Sequence, residues 1–476
     1  MALYQIGKSE ELAIADFAPD LDPASPANGQ GILLDADQCQ PTLKGYQALN
    51  SAVPYVAGAL VEAPNGSAVA YYSTSAVQVW AGTVDHLYRR FGSIWVQADL
   101  LGTTSAGATT RWRFAQFNDD LIAVAGGVAP QVATGATGIF SALGGNPPVG
   151  AVAVVSVNGQ VLMFQGPNWY ASALGVDNNW TPNIQTQAGA GTLYDYPGNV
   201  VAAAPIYRNV LVFKNTATWL GQYVGGQAVW SFQLISDLTG TWGQESVIVL
   251  PDGVAWLGSD DFYFSTGYTP QAIPNNLKEW FFDVADPAQL GNTLSRYDSY
   301  NGVLWWYFVS KQTPLAGVPD RYVNYSRRAQ RWGTGYLVTQ SVPNPNQQPT
   351  LTTGLYFDQN NILQSYTGQP GTMRLLTGYY GQSGMLGQIM RVRPRYSVTP
   401  ASATLQTFHT DTIGVSDTVG QPGVLGGDGW YYFRNYDRWH RWQLSTVGSS
   451  TAVTLNSQVG AEVTAFSYEY RQGGLR

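Results

Sequence analysis

The chain has one cysteine, Cys39, and three histidines, His86, His409 and His440, among 476 residues. A single cysteine excludes an intrachain disulfide. Histidines this far apart, with no second ligand beside them, do not make a zinc pattern. Charged residues are 12% of the chain, about half the usual share of ~25%. The net charge of −7 and pI near 5.0 argue against general adhesion to nucleic acid, which needs a basic surface. The first twenty residues include Lys8, Glu10, Glu11, Asp16 and Asp20 and lack the apolar core of a signal peptide. No run approaches the length of a membrane-spanning helix, and a membrane barrel would need a signal and cleaner alternation. Together these absences point to folding in a cytosol. Long helical periodicity is missing too; the best short candidate is Asn275–Phe282.

What is abundant is glycine (53), proline (26) and aromatic residues (13%), which is an all-β composition. The stretch from Arg111 to Gln165 shows the pattern most clearly. The runs Trp112–Phe117 and Leu121–Val124 flank Asn118-Asp119, and Ala151–Val157 and Gln160–Phe164 flank Asn158-Gly159. An apolar run, a tight polar turn and another apolar run make an antiparallel hairpin. The two turns lie about 40 residues apart, close to the period of a four-stranded propeller blade. Similar turn pairs stand at Asn65-Gly66, Arg208-Asn209, Asp252-Gly253, Asn301-Gly302 and Asn360-Asn361. The following runs, such as Val254–Leu257 and Val303–Tyr307, are apolar on both faces, as strands packed between blades should be. A sandwich with irregularly spaced hairpins is the alternative.

The chain therefore divides into three parts. Residues 1–60 read as an extended arm, broken by Ala18–Pro23 and Ser25–Gly29, that either wraps its own domain or reaches a neighbouring subunit. Residues 61–370 read as an irregular β-propeller of about six to seven blades, with the short helix on a blade edge. Residues 371–476 read as a C-terminal β-sandwich-like domain. In it Met390–Tyr396 alternates, with Arg391, Arg393 and Arg395 on one face and Met390, Val392, Pro394 and Tyr396 on the other. The three arginines fit contact with a partner, or charge protection of an edge strand. Arg438-Trp439-His440-Arg441-Trp442 interleaves cations and indoles. That suits cation–π packing within or between subunits better than nucleic acid in a net acidic chain.

The search for chemistry returns little. There is no nucleophile elbow, and Gly189-Ala190-Gly191 lacks the strand-to-helix context of a dinucleotide loop. Asp119-Asp120 and Asp260-Asp261 have the residue types of a glycosidase pair but read as turn residues capping strand ends. Ser259-Asp260-Asp261 begins like a sialidase Asp box and lacks the glycine and tryptophan that should follow. No catalytic, cofactor or metal site is expected, and the chain does not read as an enzyme.

In order along the chain, Trp112–Val124, Leu143–Pro148, Ser259–Tyr263, Trp280–Phe282, the Gln388–Arg395 strand and Arg438–Arg441 resemble the podovirus tail nozzle family. Its members are also called tail hub or packaged-DNA stabilisation proteins. The resemblance spans roughly residues 12 to 470. It implies a propeller with accessory β-domains and a homo-oligomeric ring, a hexamer, in the tail of a virion assembled in the host cytoplasm. The partners it implies are the head-to-tail adaptor, tail fibre, spike or needle proteins and the host cell surface. Duplex DNA would pass through without sequence-specific binding. Six copies at −7 each carry −42, and an acidic lumen lets duplex slide. Under this reading Arg391, Arg393, Arg395, Arg438, His440 and Arg441 are the interface candidates, while the Arg327-Arg328-Arg331 cluster has no role assigned. The competing reading is a carbohydrate-binding or carbohydrate-cleaving propeller of a tail; a bacterial adhesin-like protein is a third, which the absent signal disfavours.

Overall fold

The computed structural model describes residues 8–23, 31–100, 111–343, 354–381, 385–449 and 460–472. The proline- and glycine-rich stretch Ser25–Gly29 lies outside them. Six four-stranded antiparallel blades follow one another, from Gly66–Tyr71 to Arg331–Tyr336. A smaller sector follows the sixth. It pairs Leu355–Phe357 with Leu363–Ser365, and then with Val53–Pro54 from the N-terminal segment. Ser341 bridges to Phe357 on the opposite side. Strands far apart in sequence thus close the ring.

Each blade starts from a hairpin whose turn chemistry is visible. In the third blade Val157 pairs with Gln160. The two residues between, Asn158 (φ 52°) and Gly159 (φ 73°), are both left-handed. This is the type I′ geometry that matches strand twist. In the two-residue turns of the second and fourth blades only the first residue is left-handed, Asn118 at φ 53° and Tyr207 at φ 56°. In the first blade the hairpin turn is Tyr72–Ala76, with Ser75 at φ 63°. Asn65-Gly66 is not a turn. A Cβ on Gly66 would sit 2.3 Å from the Trp112 carbonyl oxygen, so glycine there permits close backbone approach between blades one and two.

The second strands carry the apolar load. Gly253–Leu257 and Val303–Phe308 are buried along their whole length. Both faces of each blade meet a neighbour, so the core is a set of inter-blade layers. One cluster joins blades one and two through Trp80, Trp112 and Phe140. Others join two to three, three to four and four to five. The closing sector is glued to blade six by Tyr307, Tyr322 and Tyr356, and to blade one by Val79, Phe357 and Leu363.

The largest cluster ties blades five and six to the C-terminal sandwich. One sandwich sheet is continuous with blade six. Leu33–Asp37 bridges in parallel to Arg331–Tyr336 at Asp37 and Thr334, and pairs antiparallel with Thr372–Thr377 on its other side. Trp439–Val447, Ser402–Thr410, Thr418–Pro422 and the short Tyr380–Gly381, which pairs with Trp439–Val447, complete this ten-stranded sheet. In the second sheet Tyr46–Ala48 pairs with Glu462–Gln472, then Gly387–Val398 and Tyr431–Asp437 follow. Lys8–Ala13 lies along Glu462–Gln472. The N-terminal arm therefore wraps its own chain: four of its strands belong to the sandwich and Val53–Pro54 closes the propeller.

The helix is Lys278–Val284. It is not on a blade edge. Phe281 is fully buried against Phe262 of blade five and Phe308 of blade six, at 5.0 and 4.7 Å between ring centroids. Phe281 needs a core to enter, and the inter-blade seam supplies it.

Candidate interface on the sandwich and the closed axis of the propeller

The alternation of Gly387–Val398 is real but interrupted. A bulge lies between Ile389 and Arg391. Ile389, Val392 and Pro394 are buried, whereas Arg393 and Arg395 are exposed. Met390, expected among the inward residues, sits at the irregularity and is only partly buried. The strand lies between Glu462–Gln472 and Tyr431–Asp437, so its arginines do not protect an edge.

The three arginines differ in what they are committed to. Arg391 donates from Nε to Glu469 at 2.6 Å, lies 3.8 Å from Asp428, and stacks over Trp430 at 4.5 Å. The Tyr432 hydroxyl, 2.6 Å from Asp428, holds that carboxyl below its ordinary value. Arg395 pairs with Glu11 of the arm at 2.7 Å, both side chains half exposed. Arg393 and the neighbouring Arg434 are exposed and form no ion pair among the described residues.

The second basic cluster is mostly internal. Arg438 pairs with Asp411 at 3.0 Å. Arg441 pairs with Asp417 and packs over Tyr379 at 4.8 Å and Phe408 at 5.7 Å. Trp442 is fully enclosed against Tyr380 at 4.5 Å. His440 has no exposed surface, and its Nε2 lies 3.1 Å from the carbonyl oxygens of Gly387 and Asp437. Burial lowers its pKa, so the ring is neutral and Nε2–H donates. As an interface candidate His440 is corrected to an internal strut. A strand alternating cations with indoles buries every second residue, and here the histidine fell on the inner face.

The Arg327-Arg328-Arg331 cluster also acquires partners. Arg327 makes a two-pronged contact with Asp252 at 2.6 and 2.7 Å, joining blade six to blade five. Arg331 donates to the Thr42 carbonyl at 3.2 Å, joining blade six to the arm.

The acidic pairs sit at turns. Asp119 accepts from the Ser73 backbone at 2.7 Å; Asp260 accepts from the Tyr263 hydroxyl and Asp261 from Asn275, each at 2.7 Å. His86 lies 3.2 Å from Asp99, and His409 lies 3.0 Å from Asp437. No group of three metal-ligating side chains occurs among the described residues.

One site escaped the sequence reading. Arg113 opens the inner strand of blade two, and Glu245 precedes that of blade five. They meet across the propeller axis at 2.7 Å, with Arg111 at 3.3 Å from the same carboxylate. All three are mostly buried. This ion pair ties blade two directly to blade five. Nothing local in sequence marks a pair 132 residues apart.

No family model and no curated protein matches the chain. Among solved structures it is similar to YCF48 bound to a D1 peptide, at a TM-score of 0.42 and 13% identity over 68% of this chain and 98% of that one. It is similar to a chain of the mitotic checkpoint complex at 0.43 and 8%, covering 67% and 93%. It is also similar to YCF48 from Cyanidioschyzon merolae at 0.40 and 12%, covering 67% and 98%.

Proposed function

We propose that the chain is a structural ring subunit of a short-tailed phage tail, the nozzle or hub through which the genome passes and which helps retain packaged DNA. It works as a homo-hexamer in the virion, below the head-to-tail adaptor and in contact with fibre, spike or needle proteins. Its work is shape and not catalysis. The observation that supports this most is mechanical. One sheet runs from blade six into the sandwich, and the arm is stitched through both. Domains joined by a linker rotate about it; domains sharing a hydrogen-bonded ladder do not. A conduit wall needs that stiffness. The resemblance of the ordered motifs supplies the rest of the reading.

Arg393 and Arg434 are the contacts offered to a neighbouring subunit or the adaptor. Duplex DNA meets a net acidic assembly and is not held, because few phosphates are neutralised. Mass photometry and negative-stain imaging of the purified protein, alone and with neighbouring virion proteins, test this. Six-fold rings are expected; a protein that stays monomeric in both settings sinks the reading. Retention of duplex on a filter at physiological salt would contradict the conduit.

A further inference from the structure

The Arg111, Arg113 and Glu245 cluster carries more charge than it balances. Glu245 accepts from Arg113 at 2.7 Å and lies 3.3 Å from Arg111. Arg113 also donates to the Trp112 carbonyl at 3.2 Å. Among the described residues neither guanidinium pairs with another carboxylate. Two cations share one anion, and a single positive charge is left over.

The place of that surplus separates it from an ordinary surface arginine. The side chains of Arg111, Arg113 and Glu245 are 17, 15 and 16% exposed. A lone cation on an open face, such as Arg393, is balanced by water and salt. One mostly withdrawn from water loses hydration, and this costs free energy until an opposite charge meets it. Burial pulls the Arg113 guanidinium down; Glu245 offsets this in part, and the Arg111 charge lowers it again. Arg111 is the outer of the two cations. It precedes the inner strand Arg113–Phe117, so it stands nearer the end of the propeller. Beyond its ion pair with Glu245 it makes no hydrogen bond to the described residues, and its side chain stays partly open to water.

We propose that this end of the propeller axis binds a singly charged carboxylate, seated on Arg111. The planar fork of an arginine matches a carboxylate with two parallel hydrogen bonds. One negative charge cancels the surplus. A phosphate group carries about 1.5 to 2 at neutral pH and would set a net negative guest against Glu245. The carboxylate is that of a small free acid or of a peptide C-terminus. The inference does not rest on the ring reading.

The test uses the full chain at constant ionic strength. Acetate, acetyl-trialanine with a free C-terminus, its C-terminal amide and inorganic phosphate are titrated by calorimetry and NMR. Saturable millimolar binding of an acid is expected, and the tighter of acetate and the peptide acid identifies the source. The amide should not bind. Arg111→Ala should weaken binding about tenfold or more. Arg111→Lys, which keeps the charge and loses the fork, should weaken it about threefold. Glu245→Gln leaves both cations without their carboxylate and should tighten binding about tenfold. Arg393→Ala, on the sandwich, should change nothing. Circular dichroism checks that each variant is folded. Absence of saturable binding by both acids overturns the proposal. So does binding that survives Arg111→Ala, that is lost equally in Arg393→Ala, or that weakens in a folded Glu245→Gln protein. Phosphate bound as tightly as either acid also overturns it. Mass photometry of the same samples reads ring formation separately.

Discussion

The third blade and the second sheet of the sandwich are both antiparallel, yet they are made in opposite ways. In the blade, Ala153–Val157 meets Gln160–Gln165 across two residues. In the sandwich, Tyr46–Ala48 meets Glu462–Gln472, and Lys8–Ala13 meets the same strand. The blade closes a short loop for each ladder, while the sandwich closes nearly the whole chain. Loop closure costs more entropy as the loop lengthens, though slowly, and long-range pairing slows folding. The sandwich ladder therefore closes late, and it is tied to blades five and six by a cluster of large buried side chains. The most connected is Trp332. Its ring meets Phe262, Tyr325 and Trp306 at 4.9, 4.7 and 6.0 Å. Its N–H donates to Asp16 at 2.8 Å, and its carbonyl accepts from the Tyr46 hydroxyl at 2.7 Å.

The sharpest way to break this contrast is a pair of cavities of equal size. Trp332→Ala and Trp219→Ala each empty a fully buried indole site and should each cost about 4 kcal/mol in urea unfolding. The losses should differ in place. Trp219 packs between blades three and four, so hydrogen exchange should rise there and stay slow in the arm. Trp332→Ala should expose the arm strands and the sandwich as well. Equal exchange in the arm for both variants would mean that the two regions are not distinct.

The arm's anchor carries a pH signature. Burial raises Asp16 from 3.8 to about 6, although the Trp332 and Phe17 amides and the Arg331 charge pull it down. A carboxyl raised in the folded state stabilises fully below its unfolded value, and this contribution is lost as pH rises through about 6. Asp16→Asn keeps the accepting Oδ1, which takes both amides at 2.8 Å, and cannot ionise. The stability of the parent relative to this variant should fall by on the order of 2 to 3 kcal/mol between pH 4 and pH 8. Asp35 and Asp37 are raised in the same sense, but they are present in both proteins and cancel. A flat difference curve would show that Asp16 is ionised throughout. Asp16→Ala should show the same pH dependence, costing on the order of 2 to 3 kcal/mol more at pH 4 than at pH 8, because alanine cannot ionise either; in addition the Trp332 amide loses its acceptor.

Within the propeller a second long-range device, beside the borrowed strand of the closing sector, is the Arg113–Glu245 pair. Glu245→Gln should cost about 1 to 2 kcal/mol and loosen the inner strands of blades two and five without touching the sandwich. Exchange measured on those strands checks it.

The same division decides what could be read from the residues. Hairpins with Asn118, Asn158 and Asn361 at positive φ announce themselves, because the turn needs a residue that tolerates that conformation. The first-blade turn at Ser75 carries no such pair, and only the apolar runs on either side of it mark the hairpin. The blade count stayed loose because the closing sector borrows Val53–Pro54, and no local pattern reports a borrowed strand. Alternation gave the faces of Val392, Pro394 and Arg393, but one bulge was enough to displace Met390. Which of the basic residues are free depended on Glu11 and Glu469 from other strands and on Asp411 and Asp417 from the loop before Thr418–Pro422. Periodicity sees a residue's face and not its partner.

The smallest effects on stability fall on the sandwich face, and there stability and assembly separate. Arg395→Ala breaks a half-exposed pair and should cost at most ~0.5 kcal/mol. Arg391→Ala removes a charge-assisted bond to Glu469 and a stacked indole contact, so about 1 kcal/mol is expected. Arg393→Glu touches no described ion pair and should leave the unfolding midpoint unchanged. If this face meets another subunit or the adaptor, reversing that one charge should still dissociate the assembly, since like charges at a rim repel and slow encounter. Sedimentation of Arg393→Glu beside Arg395→Ala decides it. An Arg393→Glu protein that assembles like its parent removes the sandwich face from the interface and turns the search to the outer strands of the blades.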